Sequence, residues 1–230
     1  MSLPAPTLRA ALLAELCATF ILVLAGTGAI VVNDVSGGAI THPGIALTFG
    51  LVVLAMIQTF GPISGAHMNP AVTLGLTAAH RFPAKRLVPY WASQLAGALL
   101  ASLLLRLLFP HHEYLGGTRP SGTAFQSLVF ELVLTLILML AVLRLPAAPS
   151  DNVHAGLTIG AVIALEAMFA GPICGASMNP ARSLGPALVS ARLESLWIYL
   201  AAPFVGALLA IPINSVLSGR DIETENPHAA

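Results

Sequence analysis

Long apolar stretches separated by short polar breaks run through almost the whole chain. Leu8 to Val32 is apolar apart from Arg9, Glu15 and small hydroxyls. At 1.5 Å per residue such a helix crosses a hydrocarbon core of about 30 Å. A Gly/Ser/Asn/Asp loop from Asn33 to Pro43 leads to a second span, Gly44 to Phe60. Arg81 to Arg86 is a basic turn before a third span, Leu87 to Phe109. Pro110 to Gly122 is the longest polar connection, and its His111 and His112 read as loop residues. Ala124 to Leu145 is a fourth span, Pro146 to Asn152 a turn, His154 to Ala170 a fifth span and Leu196 to Leu217 a sixth. A polar tail over 221–230 is expected to be disordered. No small-residue cleavage pattern follows the first apolar run, which therefore reads as a retained helix and not a signal peptide.

Two stretches interrupt this pattern in the same way. Ser64 to Ala71 and Cys174 to Ala181 both end in Asn-Pro-Ala, and both follow a Gly-Pro-Ile. Asn69 and Asn179 stand 110 positions apart. Pro suits the first position of a helix, where its missing N–H is not needed, and Asn is a favoured cap just before it. Pro70 and Pro180 therefore predict helix starts, and the following runs, Val72 to Ala79 and Arg182 to Val189, are only about two turns long. Helices that short cannot span a bilayer. They fit re-entrant half-helices, tolerated where backbone lines a wet cavity or is buried in protein.

The halves match beyond the triplets, since Glu15 and Thr19 in the first span correspond to Glu131 and Thr135 in the fourth. Three spans per half send the second copy through the membrane from the opposite side, which makes an inverted repeat over about 8–109 and 124–217 within one transmembrane domain, 1–220. Arg9, Arg81, Lys85, Arg86, Arg144 and Arg220 fall on one side, and Arg106, Arg119, Arg182 and Arg192 on the other. That bias places both termini in the cytoplasm. Small-residue pairs, Gly97 with Ala101, Gly156 with Gly160 and Gly206 with Ala210, suit close helix crossings, although Gly and Ala are common in such helices anyway.

Composition agrees: 57% of residues are hydrophobic, 9% are charged, and mean hydropathy is +0.86. Soluble domains carry about 25% charged residues. Zero formal net charge gives no reason to expect nucleic acid. Cys17 and Cys174 make no disulfide framework. No nucleotide-binding motif, metal-ligand spacing or nucleophile–base set occurs, so neither a cofactor nor a metal is expected, and an intramembrane enzyme is disfavoured. A secondary transporter shares inverted repeats and broken helices, but it would want substrate-binding charges at the midplane.

The paired triplets, the repeated Glu-x-x-x-Thr and the run Asn179-Pro180-Ala181-Arg182-Ser183 resemble the aquaporin (major intrinsic protein) family over about Leu8 to Leu217. The segment Phe169 to Ala187 is most similar to the nodulin-like branch. The resemblance implies an all-α membrane protein with six transmembrane helices and two half-helices, a homotetramer with one pore per subunit, and passage of water, glycerol or uncharged metalloid acids such as boric or arsenious acid. A strictly water-selective channel is the alternative. The short tails fit a prokaryotic inner membrane.

If the half-helices meet end to end, two positive helix ends face one point and disfavour cations there. Asn69 and Asn179 can cap their helices through the side-chain oxygen and turn the amide toward the lumen. Extended segments Gly65-Ala66-His67 and Gly175-Ala176-Ser177 would offer a ladder of carbonyl acceptors. The resemblance places Arg182 at the family's selectivity constriction, together with Phe49, Ala167 and Ala176. Strict water channels carry His where Ala167 stands, so the opening is expected to be wider. Glu15 and Glu131 read as structural acceptors for backbone N–H groups of the half-helix loops. Glu166 stays open between an inward acceptor, a lipid-side acid and a vestibule carboxylate. His67 is read as lining the cytoplasmic half of the pore.

Overall fold

A computed structural model of the chain describes residues 6–145 and 152–219. The predicted turn from Pro146, Arg220 and the tail over 221–230 lie outside the described residues. Among the described residues there are eight α-helices: α1 (Leu8–Val35), α2 (Thr41–Ser64), α3 (Pro70–Ala78), α4 (Leu87–Leu108), α5 (Ala124–Arg144), α6 (Asn152–Cys174), α7 (Pro180–Ser190) and α8 (Leu196–Leu217). Six of them are long and apolar enough to cross a membrane. Leu51, Leu107, Phe125, Leu165 and Val216 stay exposed on the outside of the bundle, as a lipid-facing surface allows.

The main difference from the sequence expectation lies at the two Gly-Pro breaks. The second and fifth spans do not end at Phe60 and Ala170. Helices α2 and α6 run on through Pro62 and Pro172 to Ser64 and Cys174. A proline inside a helix removes one donor and leaves the carbonyl four residues back without its usual partner. On α6 that carbonyl belongs to Met168, and the His42 ring reaches across from α2 to meet it, with Nε2 2.7 Å from the oxygen. A carbonyl can only accept, so Nε2 carries the proton and donates. The helices stop instead at Gly65 and Gly175, whose φ of +89° and +88° lies in the left-handed region that glycine enters without strain.

Helix pairs α1–α4 and α5–α8 are the same pairing in the two repeats, and α2–α6 joins the repeats at the centre. The small residues sit at these crossings. A Cβ at Gly97 would run into the backbone of Leu16 and Phe20 on α1, and one at Gly206 into Leu132 and Leu136 on α5. Gly50 and Gly160 face each other across α2 and α6 in the same manner. Each half-helix packs on the opposite repeat, α3 on α8 and α7 on α4.

Candidate functional site

Both triplets form helix starts buried at the centre. Asn69 accepts from the N–H groups of Ala71 and Val72 at 2.9 and 3.5 Å, and Asn179 from those of Ala181 and Arg182 at 3.0 and 3.3 Å. Both side-chain oxygens are thereby committed to their own helices. The amide nitrogens cross over: Asn69 Nδ2 donates to the Met178 carbonyl, and Asn179 Nδ2 to the Met68 carbonyl, each at 2.8 Å. Each amide uses one hydrogen to tie the two loops together and keeps the other. Pro70, Ala71, Pro180 and Ala181 are buried behind the two caps.

The loops ahead of the caps are not extended. Gly65, Ala66 and Met68 have positive φ, as do Gly175, Ala176 and Met178, so the backbone curls through alternating left-handed turns. Two carboxylates hold it in that shape. Glu15 accepts from Ser64 Oγ, the N–H groups of His67 and Met68, and Gln94 Nε2, all at 2.8 Å. Glu131 accepts from the N–H groups of Ser177 and Met178 at 2.7 Å. Tyr90 and Tyr199 donate to the carbonyls of Ser64 and Cys174 at 3.0 and 2.7 Å. The carbonyls of Gly65, Ala66, His67, Gly175, Ala176 and Ser177 accept no hydrogen bond among the described residues.

A cavity of about 430 Å³ passes between these loops. Its walls include Phe49, Ala167, Ala176 and Arg182 toward one end and His67, Arg81 and Asn152 toward the other. Arg182 is 2% exposed, donates from one terminal nitrogen to the Gly116 carbonyl at 2.9 Å, and sets its guanidinium carbon 5.0 Å from the centre of the Phe49 ring. Its Nε has no partner among the described residues. Arg182 was counted above with the loop charges, yet it lies deep inside the molecule and belongs to neither surface. His67 bonds Thr73 Oγ1 through Nδ1 at 3.2 Å and packs on Phe82 and Tyr90.

Glu166 is 1% exposed and lies outside the cavity lining, so it is neither a lipid-side acid nor a vestibule carboxylate. Neither of its oxygens meets a donor among the described residues, so it is not acting as an acceptor either.

Several residues of the site were not singled out in the sequence. The connection after α4 folds inward instead of lying on the surface: Leu115 is fully buried, Gly116 holds Arg182, and Thr118 donates to Ser183 Oγ at 2.8 Å. The Gly116-Gly117 pair was the available signal, since Gly116 has a φ of +69° and a Cβ there would strike the Thr27 backbone. His112 is more than a loop residue. Its Nδ1 accepts from the Leu115 N–H at 3.0 Å while Nε2 faces Asp34 at 3.2 Å, which pins the connection to the end of α1.

Six apolar helices around a cavity walled by two inward-folded loops define a pore-forming membrane protein. Residues 3–213 match the profile of the family described as Major intrinsic protein, and the chain belongs to that family. Aquaporin NIP1-1 of Zea mays is 46% identical over 202 residues, covering 86% of this chain and 71% of its own length. Aquaporin NIP1-4 of Oryza sativa subsp. japonica is 48% identical over 198 residues, covering 85% and 72%. Nodulin-26 of Glycine max is 43% identical over 215 residues, covering 91% and 78%. Among solved structures, the aquaglyceroporin from Plasmodium falciparum superposes with a TM-score of 0.81 at 24% identity, covering 90% of this chain and 95% of that one, and so shares the fold. The chain is a transport channel and not an enzyme.

Proposed function

We propose that this channel conducts water and small uncharged solutes, among them glycerol and the boric or arsenious acids, and rejects ions and protons. The observation that carries the reading is the slot at one end of the cavity. Phe49 presents a bulky apolar wall, Arg182 presents donors from a guanidinium whose carbon lies 5.0 Å from the ring centre, and Ala167 and Ala176 are small residues in the same lining. A small polyol or metalloid acid can turn its carbon or metalloid face to the ring and its hydroxyls to Arg182. Hydroxyls left unpaired there would cost about 1–3 kcal/mol each, and the six unpartnered loop carbonyls are the acceptors that meet them. Asn69 and Asn179 each keep one amide hydrogen for the lumen, where the two half-helix N-termini add positive potential. A water held there by two donors passes no proton along the file.

The functional unit is a single channel domain assembled as a homotetramer with a pore in each subunit. It sits in the cell inner membrane with both termini cytoplasmic. Arg9, Arg81, Lys85, Arg86 and Arg144 then share the cytoplasmic end of the bundle, opposite Arg106, Arg119 and Arg192. Proteoliposomes in stopped-flow light scattering test the solute range. Linear, low-activation-energy flux is expected for water and then for glycerol. Fast water flux with glycerol and metalloid uptake no greater than in empty vesicles would leave a plain water channel. Saturable flux coupled to an ion gradient would make the chain a transporter.

A further inference from the structure

We infer that Gly26 on α1, which does not itself line the cavity, sets the width of the slot by seating the Phe49 ring, and thereby fixes the largest neutral solute that passes. This rests on the reading of Phe49 and Arg182 as the constriction. Gly26 is buried, and the space its missing side chain leaves is filled by the ring. A Cβ at that position would overlap Phe49 Cε1 and lie 2.5 Å from Cζ and 2.6 Å from Cδ1. Carbon–carbon contacts settle near 3.5–4.0 Å, so even a methyl group forces the ring to move by about 1 Å or more.

The surroundings decide which way it moves. Helix α2 cannot back away, because the residue next to Phe49 is Gly50, whose face is locked against α6. A Cβ at Gly50 would lie 2.5 Å from the Gly160 carbonyl oxygen and 2.6 Å from Ala164 Cβ. Helix α1 is in turn held tightly by α4, where a Cβ at Gly97 would strike the backbone of Leu16 and Phe20. Neither helix is free to retreat, and the open direction for the ring is the cavity, toward the Arg182 guanidinium 5.0 Å away. A methyl group on α1 therefore narrows the slot without touching the solute.

The other repeat provides an internal comparison. Glu131 lies 116 positions after Glu15 and Gly160 lies 110 after Gly50, so the partners of Gly26 and Phe49 are Val142 and Ile159. Both of those side chains line the cavity themselves. Neither Val142 nor Ile159 reproduces a glycine beneath an aromatic ring, so that seat belongs to the repeat whose ring packs against Arg182.

Permeabilities of reconstituted Gly26→Ala, Phe49→Ala and the double variant test this, using water, urea and glycerol. Gly26→Ala should lower the glycerol-to-water permeability ratio at least tenfold, and adding Phe49→Ala should restore it to the parent value or above, because no ring remains to be displaced. If the parent conducts water alone, the same displacement should appear as water permeability lowered several-fold and restored in the double variant. An unchanged Gly26→Ala, or a loss that Phe49→Ala fails to rescue, overturns the inference. Should Gly26→Ala not fold, the seat still requires Gly26→Ala/Phe49→Ala and Gly26→Ala/Phe49→Leu to fold, and failure of both also overturns it. The two levels separate cleanly. Phe49→Ala alone with unaltered selectivity removes Phe49 from the constriction, whereas a widened Phe49→Ala beside a neutral Gly26→Ala removes only the seat.

Discussion

At the scale of single residues, the centre of the channel rests on side chains that serve two purposes at once. Asn69 and Asn179 spend their oxygens on helix caps and one amide hydrogen each on the opposite loop. Replacing either by Ala removes a cap worth about 1 kcal/mol and also a lumen donor. Each variant should unfold at a lower temperature in detergent, and water permeability per folded channel should fall. Permeability unchanged in both would show that the amides do not meet the water file. Arg182 is likewise shared between the slot and the Gly116 carbonyl. Arg182→Val should admit larger solutes several-fold faster and raise proton leak, because the fixed positive charge and the narrowing go together. A pH-jump assay on vesicles reads the leak, and parent-like selectivity and leak would make Arg182 a packing residue.

At the scale of elements, the sequence pattern located every span but misplaced the ends of α2 and α6. The Gly-Pro pairs look like terminators because proline removes a helix donor. On α6 the donor that meets the freed carbonyl comes from another helix, 126 residues away in sequence, and periodicity along one segment contains no information about it. Gly26 and the inward fold of residues 115–118 were illegible for the same reason: their partners, Phe49, Arg182 and Ser183, are brought to them only by the packed fold. The triplets were legible because a cap and its helix are neighbours in sequence. The His42 bond gives a prediction at this scale. His42→Ala leaves the Met168 carbonyl without that donor in a part-buried site, at a cost of about 1 kcal/mol. In a Pro172→Ala background residue 172 regains its N–H and can bond Met168 itself, so His42→Ala should then cost much less. Equal losses of thermal midpoint in the two backgrounds would show that His42 acts by packing and not by replacing the proline's missing donor.

Across the whole molecule, the two repeats share one architecture but brace their loops unequally. In the first, Glu15 gathers two backbone N–H groups, the Ser64 hydroxyl and the Gln94 amide. In the second, Glu131 has the two backbone N–H groups, while Cys174 stands where Ser64 does and Pro203 where Gln94 does. Both side chains at the loop base accept the N–H two residues on, Ser64 from Ala66 at 3.0 Å and Cys174 from Ala176 at 3.3 Å. A thiol is the poorer donor and acceptor of the two. Exchanging the pair tests whether this difference matters to the fold. Ser64→Cys should lower the thermal midpoint, since it weakens a bond to a buried carboxylate. Cys174→Ser should raise it, because a hydroxyl can reach Glu131 as Ser64 reaches Glu15. Each change is expected to be worth about 1 kcal/mol, and flux through the folded channel should stay near the parent's, because neither side chain lines the cavity. A Cys174→Ser variant less stable than the parent would mean that the bulk of the sulfur in its fully buried site outweighs the hydrogen bond, and that the second repeat is fitted around a thiol.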